Sequence, residues 1–261
     1  MEYTFCADTD LGRVRDNNED AVAVDPSAGL ALLADGMGGY KAGEVASGLA
    51  ISVIQPELAQ WLTEAGKSAS IARLRQAIFD CVVRANGLIL KSSLTHAAHA
   101  GMGTTLVVGV FHGEHLVLGH LGDSRCYRLR GGHLDLITRD HSVLQERIDA
   151  GLITPAQAFG SADRHLVTRA LGVAPEAKLE LHDFPVEPGD LYLMCSDGLS
   201  DMVRDDMIQK VLCQSLPLEQ TARALIALAN EQGGRDNIAV VLVQASDRGA
   251  RRNFLSRLLG R

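Results

Sequence analysis

Apolar residues along this chain switch between two periods, and the switches mark its elements. Residues 21–25 (AVAVD) and 30–34 (LALLA) are short apolar runs separated by Pro26-Ser27-Ala28-Gly29, a turn-forming stretch. Such a pattern predicts a β-hairpin. The uninterrupted run 30–34 predicts a strand covered on both faces. The period then lengthens. Ala46, Leu49, Ala50 and Val53 fall at i, i+3, i+4, i+7, and Ile71, Leu74, Ile78, Val82 and Ala85 repeat the stripe. Two helices follow, each with one face to bury. Strands return at 104–111, 115–121, 125–130 and 133–137, then at 178–184, 190–195 and 238–244, with helices near 205–213 and 218–232. Segment 141–170 is mixed and polar with a short helical start near Val143–Ile148, the pattern of a lid or insertion. Hairpins beside paired helices predict antiparallel sheets with helices outside, not regular βαβ units.

Composition narrows the class. A chain of 261 residues, 46% hydrophobic and 22% charged, has the make-up of one globular domain. A net charge of −7 lacks the basic surface that a general nucleic-acid binder needs. The five cysteines, Cys6, Cys81, Cys126, Cys195 and Cys213, include no C-x-x-C pair, so buried free thiols are expected rather than structural zinc. No signal peptide and no run of about 18 apolar residues is present, which predicts a cytoplasmic protein.

The acids change the picture most. Asp20 precedes one hairpin strand and Asp35 follows the other, so antiparallel pairing places both at the hairpin's open end. Asp197 follows strand 190–195 and Asp236 precedes strand 238–244; if these strands are neighbours, the two acids also share an end. Asp123 sits in the tight connection between strands 115–121 and 125–130. An Asp at a strand end is ordinarily a turn former or helix cap. Five such residues together favour a cation instead, because clustered like charges are costly unless neutralised. Oxygen ligands of this kind suit Mg²⁺ or Mn²⁺. Gly follows Asp35 and Asp197 directly, which permits a sharp turn and leaves room for a carbonyl to reach a metal.

Six ordered motifs then define a resemblance. They are Val14-Arg15-Asp16-Asn17-Asn18-Glu19-Asp20, Asp35-Gly36-Met37-Gly38-Gly39, Gly101-Met102-Gly103-Thr104-Thr105, Gly122-Asp123-Ser124-Arg125, Ser196-Asp197-Gly198-Leu199 and Arg235-Asp236-Asn237-Ile238. In this order the chain resembles the PPM class, the type 2C Ser/Thr protein phosphatases, in their compact bacterial form, over residues 1–245. The resemblance implies an α+β fold, a four-layer α-β-β-α sandwich of two antiparallel sheets flanked by helix pairs. It implies a phosphatase domain over 1–245, with 141–170 as flap and 246–261 as a basic tail. It further implies two Mn²⁺ or Mg²⁺ ions, with a weaker third. Asp20, Asp197 and Asp236 would hold one ion, Asp35 would bridge two, the Gly36 carbonyl would bind the second, and Asp123 with Asp197 would hold the third. Glu19 would act through bound water, and Asp201 would stand behind the ligands. Arg15 would grip the phosphate with its planar fork. Hydroxide bridging the metals would attack phosphorus directly.

The implied substrates are phospho-Ser/Thr proteins, in opposition to a bacterial Ser/Thr kinase; no nucleic-acid partner is expected, and a monomer is. Departures bear on the chemistry. Met37 stands where animal members carry the His suspected as general acid, so metal-bound water becomes the expected proton source. In the flap, Ala162 and His165 replace the usual Pro and Asn, whereas Thr168-Arg169-Ala170-Leu171-Gly172 fits. His96/His99 and His112/His115 read as surface or loop histidines, and His141 stands at the opening of the lid, where it could meet substrate. The tail 248–261 carries five Arg and no acid. A docked or frayed helix is preferred there over an anchor for an anionic membrane. A binding module on the same fold and a metal-dependent nuclease are the rivals. The complete acid set opposes the first, and the acidic net charge opposes the second.

Overall fold

The computed structural model describes residues 1–39, 42–65, 69–154, 157, 163 and 166–247. The chain opens with strands β1 (Glu2–Asp10), β2 (Asp20–Asp25) and β3 (Leu30–Met37), followed by helices α1 (Ala42–Ala65) and α2 (Ile71–Thr95). Five strands come next: β4 (Gly103–Thr104), β5 (Leu106–His112), β6 (His115–Leu121), β7 (Arg125–Arg130) and β8 (His133–Leu136). Helix α3 (Val143–Asp149) precedes β9 (Glu180–Pro185) and β10 (Leu191–Cys195). Helices α4 (Asp197–Ser200), α5 (Asp205–Leu212) and α6 (Leu218–Glu231) lead into β11 (Ile238–Ser246).

One sheet runs β1-β11-β10-β7-β8, and the other runs β2-β3-β5-β6-β9 with β4 beside β3. All these pairings are antiparallel. Three apolar layers hold the sandwich together. Leu32, Val108 and Val110 on one sheet meet Ala46, Ala50, Ile54 and Ile78 of α1 and α2. Leu33, Val107, Tyr192 and Val241 interdigitate between the sheets. Leu193, Val240 and Leu242 meet Ile208 and Leu225 of α5 and α6. Each fully buried aliphatic side chain contributes about 1.5–3 kcal/mol. The four-layer α-β-β-α arrangement is therefore the one the motifs implied.

Differences from the sequence pattern are local. β1 has no clean alternation, because it is a half-buried edge strand. Its full-length register on β11, from Glu2↔Ser246 to Asp10↔Ile238, fixes it instead. The buried face of α1 is centred on Ala46, Ala50, Ile54 and Leu58, and Leu49 and Val53 flank it. The run 104–111 splits into β4 and β5 at Thr105, whose main chain turns aside to bond Asp35. Among the thiols, Cys81, Cys126 and Cys195 are buried, Cys6 is half-buried on the edge strand, and Cys213 is exposed at the end of α5. Among the described residues no helix is long and apolar enough to cross a membrane. The tail 248–261, Ala162 and His165 lie outside the described residues.

Candidate metal centre

The β2–β3 hairpin pairs Asp20 directly with Asp35 at its open end. The Asp35 carboxyl lies within hydrogen-bond reach of Asp20. The Ser196 hydroxyl donates to Asp20 Oδ2 at 2.7 Å and accepts from the Ala239 amide at 2.9 Å. One hydroxyl thus links the ends of both sheets. Thr105 pins Asp35 from below: its amide donates to the Asp35 carbonyl at 2.8 Å, and its Oγ1 accepts from the Asp35 amide at 3.0 Å. The same Oγ1 pairs with Ser124 Oγ at 2.7 Å, which ties the Asp35 strand to the loop that carries Asp123.

That loop is more than a hairpin turn. β6 and β7 belong to different sheets, so Gly122-Asp123-Ser124 is where the chain crosses between them at the rim. Gly122 has φ +108°, and a Cβ there would sit 2.6 Å from the Thr105 side chain; only glycine fits. β10 and β11 are neighbours, with Cys195↔Val240 in register, and Asp197 and Asp236 emerge at their shared end. Asn237 fastens this end to the N-terminal loop. Its Oδ1 accepts from the Glu19 amide at 2.8 Å, and its Nδ2 donates to the carbonyls of Leu11 and Asn17 at 3.0 and 2.9 Å. Arg15 Nη2 donates to Asp236 Oδ2 at 2.6 Å.

The Asp-Gly pairs have a packing explanation rather than a turn explanation. A Cβ on Gly36 would collide with the Gly43 carbonyl at the start of α1, and one on Gly198 would collide with the Asn237 carbonyl. Each acid is followed by a point where backbone lies directly on backbone, which fixes the carboxylate's origin tightly.

These elements enclose a cleft of about 290 Å³ lined by Arg15, Glu19, Asp35, Gly36, Met37, Asp123, Asp197 and Asp236, with Val167 from the 141–170 segment at its edge. Burial, joined by the charges of Asp197 and Asp236, raises Asp20 far above the usual carboxylate range. Burial and the charges of Asp20, Asp197 and Asp123 raise Asp35, and burial with Asp197 and Asp140 raises Asp123. A group of carboxyls pushed this far toward protonation at neutral pH is unfavourable as it stands and calls for positive charge. One half-exposed guanidinium, Arg15, supplies part of it. An all-oxygen donor set of this density fits hard divalent cations, Mn²⁺ or Mg²⁺.

The residues singled out in the sequence therefore converge, with one qualification. Asp35, Gly36, Asp123, Asp197, Asp236 and Arg15 line the cleft, whereas Asp20 lies beneath it, bonded to Ser196 and next to Asp35. Asp201 caps α4 and adds to the negative charge around Asp123. His141 does not face the cleft; it is buried, and its ring is turned toward Gly122. Sequence reasoning assigned no role to Thr105, Ser196 or Asn237. Each sat inside a quoted motif, yet its partner lies on another strand or sheet.

Known proteins resemble this chain over most of its length. Residues 13–242 match the family model described as Protein phosphatase 2C. The serine/threonine protein phosphatase PstP of Mycobacterium tuberculosis is 42% identical over 245 residues, which is 93% of this chain and 45% of that protein. The chain thus spans about half the length of that relative. The serine/threonine phosphatase stp of Listeria monocytogenes is 33% identical over 239 residues, covering 90% of this chain and 93% of that protein. The crystal structure of a PstP catalytic domain in complex with two manganese ions superposes with a TM-score of 0.81 at 40% identity, over 94% of this chain and 99% of that one.

Proposed function

Since the chain belongs to the protein phosphatase 2C family, we propose that it hydrolyses phosphoserine and phosphothreonine in proteins in a reaction that requires Mn²⁺ or Mg²⁺. The observation that carries this reading is the convergence of five carboxyls and one arginine in a single cleft where two sheets end. Asp35, Asp197 and Asp236 with the Gly36 carbonyl would hold the principal cations, Asp20 would support Asp35 from beneath, and Asp123 with Asp197 would hold a weaker one. When bound, the cations neutralise the acids, withdraw charge from the phosphoryl group and make a water acidic enough to serve as nucleophile at neutral pH.

The chain's own groups do the rest. Arg15 binds the phosphoryl oxygens; its link to Asp236 holds the guanidinium at the mouth of the cleft. A planar fork suits a tetrahedral dianion better than a point charge does. Glu19, held through its amide by Asn237, orients water at the inner wall. Met37 lines the cleft and cannot donate a proton, so solvent supplies the leaving-group proton. Residues 141–170 act as a flap, with Val167 facing the cleft. The substrates are the targets of a Ser/Thr kinase, and the enzyme acts as a monomer.

The experiment is hydrolysis of a phosphothreonine peptide with Mn²⁺, Mg²⁺ or EDTA, alongside Asp35→Asn and Asp236→Asn. Metal-dependent turnover lost in both variants is expected. Absence of turnover from folded, metal-loaded wild type across several peptides overturns the reading.

A further inference from the structure

Outside the cleft, His120, His141 and Glu180 bring ligand-type atoms within 4.8 Å of one another. A cation could be suspected there, but the position is taken. Arg169 Nη1 lies 2.8 Å from Glu180 Oε1 and 3.1 Å from His141 Nε2, so the positive charge in this cluster is a guanidinium. What the cluster does hold firmly is the His141 ring. The ring stacks on His120 with centroids 4.8 Å apart and planes 11° apart.

His141 grips Gly122 twice. Its amide donates to the Gly122 carbonyl at 2.9 Å, and its Nδ1 accepts from the Gly122 amide at 3.1 Å. Acceptance at Nδ1 requires a lone pair there, so the proton resides on Nε2 and points to Glu180 Oε1 at 3.1 Å, the oxygen that also accepts from Arg169, which makes no hydrogen bond to Nε2 itself. Glu180 thereby fixes the tautomer, as carboxylates behind metal-ligating histidines do. Gly122 is the residue before Asp123. On the other side, the His141 carbonyl accepts from the Thr168 amide at 2.8 Å, and Ser142 bridges Val167. Both ends of the 141–170 segment are thus joined at His141, and one of them carries Val167 to the cleft. The preceding residue, Asp140, is held by a bidentate Arg125 contact at 2.7–3.1 Å, so the segment's root stays in place without the imidazole.

We propose that His141 is a positioning residue for Asp123: its imidazole clamps Gly122 and so couples the base of the flap to the carboxylate that holds the weaker cation. This rests on the reading that Asp123 binds a cation. A ring turned inward, away from substrate, has no direct part in the chemistry. Its effect falls on where Asp123 points and on how firmly the weaker ion is held.

Two substitutions separate the clamp from general packing. Asn places its Oδ1 near the position of Nδ1 and can still accept from Gly122; Gln places its amide near Nε2 and cannot. Mn²⁺ binding to the full chain, counted by the electron paramagnetic resonance of free Mn²⁺, is the primary readout. The expected result is that His141→Gln weakens the weakest Mn²⁺ by about 10–100-fold, the range for partners behind metal ligands, while His141→Asn stays within about threefold of wild type. Equal Mn²⁺ binding in wild type and His141→Gln, or equal losses in the two variants, overturns the proposal. Should both variants fail to fold, Glu180→Ala at the half-exposed outer end serves: a several-fold weakening supports the tautomer lock, and unchanged binding overturns it. Hydrogen exchange at the Gly122 amide provides a test that needs no metal. It should be slow in wild type and His141→Asn and fast in His141→Gln, and equal rates overturn the clamp. Wild type that binds no Mn²⁺ and turns over no phosphopeptide sinks the phosphatase reading instead, and the exchange rates then judge the clamp separately.

Discussion

Strand β10 has an aspartate at each end, and the two meet opposite electrostatic surroundings. Asp190, just before Leu191, is 1% exposed. It receives Arg130 through Nε and Nη2, both at 2.7 Å, the Glu187 amide at 2.8 Å and the Tyr192 hydroxyl at 3.1 Å. Burial pushes its carboxyl up, yet the Arg130 fork and these donors hold it below the usual range. Asp197, just past Cys195, stands among Asp20, Asp35 and Asp123, and its charge raises all three. Both ends carry buried or half-buried acids on the same rigid strand. One end balances its acid with a guanidinium and hydrogen-bond donors, and the other gathers acids that raise one another. A buried carboxylate therefore indicates function here by the like charges gathered around it, not by its burial alone.

The sharpest way to break that comparison is to neutralise one acid at each end. Asp35→Asn should lower kcat/KM for a phosphopeptide by about 10³-fold, as for loss of a group that stabilises transition-state charge. In EDTA it should also raise the melting temperature, because it removes one of several repelling charges. Asp190→Asn should do the reverse. Activity should stay near wild type while stability falls by about 3 kcal/mol, the cost of leaving Arg130 without its buried partner. Activity assays with thermal melts check both. Asp190→Asn matching Asp35→Asn in activity loss would collapse the distinction.

How much of this was legible in the sequence depends on the distance a signal must travel. The hairpin placing Asp20 opposite Asp35 follows from two short apolar runs and a four-residue turn, so it could be read from one short segment. The meeting of Asp197 with Asp236 required β10 and β11 to be neighbours, which the spacing raised only as a condition and the ordered motifs then implied. Ser196, Thr105 and Asn237 were invisible as site residues, because a hydroxyl or amide announces nothing until its partner on another strand is known. His141 could not be placed for the same reason. Its position at the opening of the flap suggested exposure, while the partners that bury its ring, His120 and Glu180, come from β6 and β9. β1 escaped because an edge strand needs no regular apolar alternation.

Cation binding tests the comparison next. At 100 times its dissociation constant, one ion should stabilise the fold by about 2.7 kcal/mol. Wild type and Asp190→Asn should both gain on adding Mn²⁺, whereas Asp35→Asn should gain far less. Differential scanning calorimetry with and without Mn²⁺ reads this. A full gain in Asp35→Asn would show that the acid end does not hold the ion.

Arg15 sharpens the same end, with a smaller effect. Arg15→Ala should lower kcat/KM by about 10–100-fold, chiefly through KM, because it removes a charge-assisted contact to phosphate. Arg15→Lys should recover only part, since an ammonium offers no fork. Steady-state kinetics at saturating Mn²⁺ distinguishes the variants. Full recovery by lysine would mean that net charge alone matters at this position.

The smallest expected effect lies in pH, and its sign differs between the two ends. Asp35 titrates from a raised value in the metal-free fold against 3.8 unfolded. Above the raised value it costs stability, and that cost disappears as acid protonates the folded form first. The advantage of Asp35→Asn over wild type in EDTA should therefore shrink steadily as pH falls from 7.5 toward 5. Asp190 titrates below 3.8 when folded, so its contribution is complete at higher pH and is lost only as pH falls through that depressed value. The deficit of Asp190→Asn should accordingly stay constant between pH 7.5 and 5. Melting temperatures of the three proteins across that range supply both differences. Parallel pH dependence of the two differences would mean that the strand's ends are electrostatically alike, and the acid end would then have no special call for a cation.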